Sequence, residues 1–254
     1  MNILLTNDDS ISAEGIRSLA KALAEVADVY VFAPLVQQSA CGHGISLRRT
    51  MAVAPVDDVA GAKEAWTVDG TPADCVKLGL FLLKEQDITI DLVFSGTNHG
   101  GNLGIDVLYS GTVSGAIEGI LCGIPGVAMS INSFYPKHFE SACKMAVQAV
   151  KVAGDKLDKN TVLNINVPDL PWEEIKGIKI ASLGQGTYQE WFHLVEEEDI
   201  PVGYRYSAAP MTVVEEEGVD IMALRNGYIT ITPLHYDLTN HGLVKEVSEW
   251  GFTL

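Results

Sequence analysis

The sequence predicts an α/β protein: a doubly wound, mainly parallel sheet with helices on both faces, a projecting β-hairpin arm and a short C-terminal tail. Three observations lead there. Short, near-continuous apolar stretches recur at 2–6, 29–33, 91–96, 126–131 and 162–167, the text of strands buried on both faces. Amphipathic helical stripes lie between them, which is the alternation of βαβ units. From about 184 to 227 that alternation stops and short extended pieces with acidic turns take over.

Residues 2–6 are the first expected strand. A helix over 14–27 follows, because Ile16, Leu19, Ala20, Leu23, Val26 and Ala27 recur at helical spacing. The next strand, 29–33, stops at Pro34 and opens into a polar loop over 37–44, then two extended stretches near 45–55 and 64–69. Thr71 is placed to cap a helix with Pro72 in its first position and Asp74 in its first turn. The strand 91–96 runs into a glycine- and asparagine-rich loop over 97–111, then a small-residue helix near 112–122. The strand 126–131 precedes a helix near 137–153, with Phe139, Ala142, Cys143, Ala146, Ala149, Val150 and Ala153 on one face. Strands at 162–167, 178–182 and 228–232 complete the core. The expected division is a core over 1–183, an arm over 184–227, and a return strand with tail over 228–254.

Hydrophobic residues at 47% and charged residues at 20% describe an ordinary folded chain of 254 residues. A formal net charge of −16 argues against long nucleic acid, which needs a basic surface to release counterions. It leaves room for a small phosphorylated ligand held through a cation. The runs Glu196-Glu197-Glu198-Asp199 and Glu215-Glu216-Glu217 read as solvated faces. No apolar run approaches the roughly 18 residues of a membrane span, and the start lacks the basic, apolar pattern of a signal peptide, so a cytoplasmic protein is expected. Cys41, Cys75, Cys122 and Cys143 form no C-x-x-C pair and read as small buried thiols.

Ligands of open α/β sheets bind beyond the carboxyl ends of the strands. Three such ends carry oxygen donors: Asn7-Asp8-Asp9-Ser10, Gln37-Gln38-Ser39 and Ser95-Gly96-Thr97-Asn98. Two carboxylates, a hydroxyl and an amide oxygen make an incomplete hard-oxygen shell, suited to one magnesium or manganese ion with positions left for water and phosphate. The loop over 95–104 and the helix opening after Ser110 could cradle an anion, with Asn102 and Ser110 as donors. His43 and His99 lie in the two loops, where an imidazole could serve a leaving group.

Several of these segments resemble the SurE (stationary-phase survival protein) family. They are Asn7-Asp8-Asp9, Gln38-Ser39, the run from Val68 to Val76, the 95–104 loop, the run from Val107 to Val113, and Ile231-Thr232-Pro233-Leu234. The resemblance implies a Rossmann-like core and a nucleotidase hydrolysing nucleoside 5′- or 3′-monophosphates, in some members also short polyphosphate. It implies Asp8, Asp9, Ser39 and Asn98 as metal ligands, and Asp8 or Asp9 as the group orienting the attacking water. Phosphate contacts fall on Asn102, Ser110, Gly111 and Thr112, and we add His43 as a candidate for substrate. It also implies a homodimer or homotetramer joined by exchanged segments. This chain departs from the family at Ser10 and Ala40, where glycine is usual, at Leu35-Val36, and over 204–210. Two other readings stay open: a phosphatase forming an aspartyl-phosphate on Asp8, and a nucleotide-sensing module without turnover.

Overall fold

The computed structural model describes residues 1–187, 190–197, 200–208 and 212–254. A nine-stranded sheet forms its centre, in the order β3-β4-β2-β1-β5-β6-β7-β13-β8. The strands of the first half are β1 (Asn2–Thr6), β2 (Asp28–Pro34), β3 (Val53–Pro55), β4 (Ala62–Val68) and β5 (Leu92–His99). Those of the second half are β6 (Gly126–Ile131), β7 (Val162–Val167), β8 (Ile178–Ile180) and β13 (Ile229–Leu234). Only β3 against β4 and β13 against β7 run antiparallel. The order reverses at β1, which pairs with β2 on one side and β5 on the other. That reversal opens a crevice at the carboxyl end of β1.

The helices α1 (Glu14–Leu23) and α4 (Phe139–Ala153) pack together, and so do α2 (Pro72–Glu85) and α3 (Gly111–Leu121). Alternation along β1 assigns the faces. Ile3 and Leu5 join the cluster with Ile16, Leu19 and Met145, whereas Leu4 joins Phe32, Val76 and Leu83. Each such fully buried side chain stabilises the fold by roughly 1.5–3 kcal/mol. Both faces of β1 are therefore dry, and only its end can carry polar chemistry.

Several expected boundaries move. The first helix ends at Leu23 rather than 27, because residues 24–27 turn back to feed β2, with Ala27 N–H bonding the Leu23 carbonyl. Of the extended stretch near 45–55 only Val53–Pro55 pairs, since Arg48 takes a left-handed backbone (φ 61°) that breaks the extension. The strand expected to stop at 96 continues to His99, because a bulge between Ser95 and Asn98 adds a residue to β5 and lets pairing with β6 resume. At Thr71 the cap forms as a full reciprocal box with Asp74. The thiols are less buried than expected: Cys75 is buried, Cys41 and Cys143 are half-buried, and Cys122 is exposed.

The later chain forms two small ladders. β10 (Glu190–Glu197) pairs antiparallel with β11 (Ile200–Ala208), and β9 (Gly186–Thr187) with β12 (Thr212–Val213). A short helix, α5 (Asp220–Arg225), was not foreseen; it buries Ile221, Ala223 and Leu224. The tail carries α6 (His241–Ser248), which has no buried residue. Of the aromatic arm residues, Phe192, Tyr204 and Tyr206 are exposed. The side chain of Trp191 and the acidic run at 196–199 lie outside what is described, whereas Glu215, Glu216 and Glu217 are exposed.

Ser10 and Ala40, the two positions where the family resemblance led us to expect glycine, both have positive φ, at 83° and 54°. Each left-handed non-glycine residue costs about 1–2 kcal/mol. Ser10 recovers part of this through a hydroxyl contact with Ser12 at 2.8 Å.

Candidate metal centre

The site starts from Asp8, which leaves the dry end of β1 with its side chain 5% exposed. Its carbonyl oxygen accepts the Gln38 N–H at 2.7 Å, drawing the loop after β2 over the strand end; Ser39, the next residue, is exposed on that loop. Its carboxylate Oδ1 accepts a short bond from the Thr112 hydroxyl in the first turn of α3. That closeness requires glycine next door: a Cβ on Gly111 would stand 2.8 Å from the Asp8 Cβ. Asp9 is half-buried and accepts from two directions, the His99 N–H at 3.0 Å on Oδ2 and the Gln37 amide at 3.0 Å on Oδ1. The Asn98 amide nitrogen donates to the Gly100 carbonyl at 2.8 Å, so its Oδ1 is the atom of the amide able to serve as a ligand. The bulge in β5 is what brings Asn98 and His99 to this end, and Gly96 makes it possible. Its φ is 142°, and a Cβ there would fall 2.4 Å from the Met129 oxygen.

The electrostatics ask for a cation. Among the described residues no lysine, arginine or histidine forms an ion pair with Asp8 or Asp9. Burial pushes the Asp8 carboxyl up to about 6; the Thr112 bond opposes this and the Asp9 charge adds to it. A buried carboxylate without a counterion is costly, and a divalent ion would reverse the cost. The donor set decides which ion fits. Among the described residues no group of three or more His, Cys, Asp or Glu is placed to hold a metal ion. Two carboxylates with neutral oxygens suit magnesium or manganese and leave open positions, unlike a closed zinc set. The residues present therefore fit one hard divalent ion.

Beside the carboxylates lies the N-terminus of α3. Ser110 caps it, its hydroxyl oxygen accepting the Val113 N–H at 3.0 Å. The N–H groups of Gly111 and Thr112 have no partner inside the helix, where its dipole is positive, and the Thr112 N–H turns to the Asp8 carboxylate. Asn102 is 7% exposed and held on every side: its N–H bonds Asn166 Oδ1, its carbonyl accepts from Asn164 and Asn166, and its amide donates to Ser130 at 2.8 Å. One amide hydrogen of Asn102 remains for an anion. The structure thus gathers Asp8, Asp9, Asn98, Thr112 and the helix start.

It turns the histidines aside. His43 Nε2 is 2.8 Å from Glu118 Oε2, and Lys77 Nζ reaches the other oxygen at 2.6 Å. Although burial pushes the Glu118 carboxyl up, these two bonds hold it below the ordinary range. The His99 ring packs on Phe139 with centroids 5.6 Å apart, and its Nε2 is buried without a partner.

Sequence reasoning missed the residues that hold the site together. Glu118, the one charged residue of α3, anchors the 42–46 loop through His43. Asn164 and Asn166 interrupt an otherwise apolar strand and carry Asn102. Both anomalies were visible in the text. Asp220 was not: fully buried, it accepts the N–H groups of Gly104, Gly184 and Ile221.

Comparison with known proteins finds relatives along nearly the whole chain. The family model described as Survival protein SurE matches residues 3–190. A relative named 5′-nucleotidase SurE from Heliobacterium modesticaldum is 42% identical over 254 residues, covering 98% of this chain and 92% of its own. One of the same name from Nostoc sp. is 42% identical over 269 residues, covering all of both chains. The crystal structure of the SurE protein from Aquifex aeolicus superposes with a TM-score of 0.84 at 39% identity, covering 98% of each chain.

The raised Asp8 pKa carries a sign. The folded chain holds this proton from about 3.8 to about 6, where the unfolded chain has lost it. Stability from this group is therefore full at low pH and is lost as pH rises through 6. Relative to Asp8→Asn, the metal-free wild type is expected to lose about 2 kcal/mol between pH 4 and pH 7.5, read from urea midpoints in chelator. A gap that does not change with pH would show that Asp8 ionises freely.

Proposed function

This chain belongs to the SurE family, and on that premise we propose that it is a divalent-metal-dependent 5′-nucleotidase, acting on nucleoside monophosphates and also on short polyphosphate. One observation carries the reading: two adjacent carboxylates, without a cationic partner among the described residues, stand beside the N-terminus of α3. A cation needs the first and a phosphate the second.

In this reading Asp8, Asp9, Ser39 and Asn98 hold one magnesium or manganese ion. When bound, that ion lowers the pKa of a coordinated water and offsets charge on the phosphoryl group. Thr112 fixes the Asp8 rotamer, while Gln37 and the His99 N–H fix Asp9, so the ligands are set before the ion arrives. Gly111 offers its backbone N–H to the phosphate oxygens, and Thr112 stands beside it in the same turn. Ser110 and Asn102 add an O–H and an N–H. The carboxylate oxygen of Asp8 or Asp9 left facing the site orients the attacking water. His43 acts on the substrate side only indirectly, by holding its loop against Glu118.

The purified chain with manganese is expected to release inorganic phosphate from AMP or GMP. Asp9→Asn should lower kcat at least about a hundredfold while the far-ultraviolet dichroism stays unchanged. Phosphate release at a near wild-type rate by folded Asp9→Asn would place the reaction elsewhere.

We also read the chain as a cytoplasmic homodimer or homotetramer, with a core over 1–183, an arm over 184–227 and a return strand with tail over 228–254. Among the described residues no helix is long and apolar enough to cross a membrane. Phe192, Leu194 and Tyr204 are 63%, 62% and 65% exposed in the arm, and Leu238, Trp250 and Phe252 are 85%, 61% and 82% exposed in the tail. Apolar area on this scale is ordinarily covered, and a second copy covers both segments with one symmetric contact. Light scattering at micromolar concentration should give at least twice the chain mass; a monomer would overturn the assembly.

A further inference from the structure

Beside the turn at Gly100 and Gly101 lies a separate concavity of about 250 Å³, whose lining includes Gly100, Leu103, Asn132, Phe134, Leu224 and Arg225. It opens on the loop that carries Asn98 and Asn102, two residues beyond the first and two before the second. The hollow therefore adjoins the loop that carries two of the proposed ligands.

The aromatic residue at its rim is unusual. Phe134 is 80% exposed, yet the turn that presents it is bonded along its length. Asn132 N–H meets the Val167 carbonyl at 2.9 Å, and Ser133 N–H meets that of Ile131 at 2.7 Å. The Ser133 hydroxyl oxygen accepts the Tyr135 N–H at 3.2 Å. The far end is held by Asp169 Oδ1, which accepts the N–H groups of Lys137 and His138 at 2.9 Å each. A turn fixed this way holds its ring out by construction. The ring has one support: a Cβ added to Gly100 would stand 3.2 Å from Phe134 Cε1.

The lining matches a flat aromatic ligand with polar edges. Leu103 and Leu224 form an apolar floor, both nearly fully buried. Asn132, Asp106 and Arg225 are the polar and charged residues among its lining. A bare phosphate chain has no use for an exposed phenylalanine, whereas every nucleobase has a π-face to lay on it.

We propose that this cavity is the nucleobase subsite and that Phe134 is its stacking platform. The assignment deepens the nucleotidase reading and rests on it. Recognition by stacking is tolerant, so the subsite accepts purines and pyrimidines alike and sets KM more than it selects a base.

The test compares AMP with ribose 5-phosphate, which keeps the phosphate and sugar but has no base. In Phe134→Ala the KM for AMP should rise about tenfold. The constants for ribose 5-phosphate should stay where they are, and Phe134→Tyr should restore the AMP value. Calorimetry with adenosine, which requires no turnover, should show wild-type binding weakened about tenfold in Phe134→Ala. If neither phosphate ester is hydrolysed but adenosine still binds through Phe134, the nucleotidase reading fails and the subsite stands. Adenosine that fails to bind the wild type, or binds both proteins equally, overturns the subsite. So does an equal change for AMP and ribose 5-phosphate, including one accompanied by a smaller mass in light scattering, which would make Phe134 a contact between copies.

Discussion

A carboxylate at the closed end of a buried strand needs compensation. Both faces of β1 are packed with aliphatic side chains, so Asp8 emerges where the dielectric is low and water is scarce. One hydroxyl bond from Thr112 offsets part of the cost of its charge, and the neighbouring Asp9 adds to it. The surrounding architecture can be understood as the means of holding two like charges at one point until a cation joins them. Two further strand ends and one helix start converge there, and each supplies a neutral side chain or an N–H group rather than a competing positive side chain.

The loops that meet at this point owe their shape to buried polar groups farther out. Glu118 and the Asp74 box tie the 42–46 loop to α3 and α2: Asp74 Oδ1 accepts the Ser46 N–H at 2.9 Å, and Thr71 donates to the Gly44 carbonyl at 2.7 Å. Asn164 and Asn166 carry Asn102 from β7. Asp220 ties the glycine loop to the segment after β8; burial raises its pKa, and the three N–H groups it accepts pull the other way. The carboxylates of Asp74, Glu118 and Asp220 and the Asn166 amide oxygen all have partners, the condition under which polar networks give rigidity, whereas the buried Asn164 Oδ1 has none. Removing one partner leaves a buried group unsatisfied at about 1–3 kcal/mol.

Much of the fold could be read before the structure, because it rests on local rules. The stripe of α1, the Thr71-Pro72-Asp74 start of α2 and the apolar strands each state their conformation within a few residues. The carboxylate pair at the end of β1 was legible for the same reason. What escaped depends on contacts between distant residues. His43 looks like a free loop imidazole until Glu118, 75 positions away, takes it. Asp220 reads as one more acid after a run of three, and its role appears only when Gly104, 116 positions earlier, is beside it. Asn98 reaches this end through a bulge inside β5 rather than by standing just past the strand's end. Phe134 gave no signal, since an exposed aromatic in a loop becomes informative only when the hollow beside it is seen.

The central claim is that Asp8 and Asp9 together hold one hard divalent ion. Manganese titration of the metal-stripped chain, followed by electron paramagnetic resonance of the free ion, measures this without reference to turnover. The account predicts one bound ion per chain at neutral pH, with affinity lower by about a hundredfold or more in either Asp8→Asn or Asp9→Asn. Unchanged stoichiometry and affinity in both folded variants would contradict it.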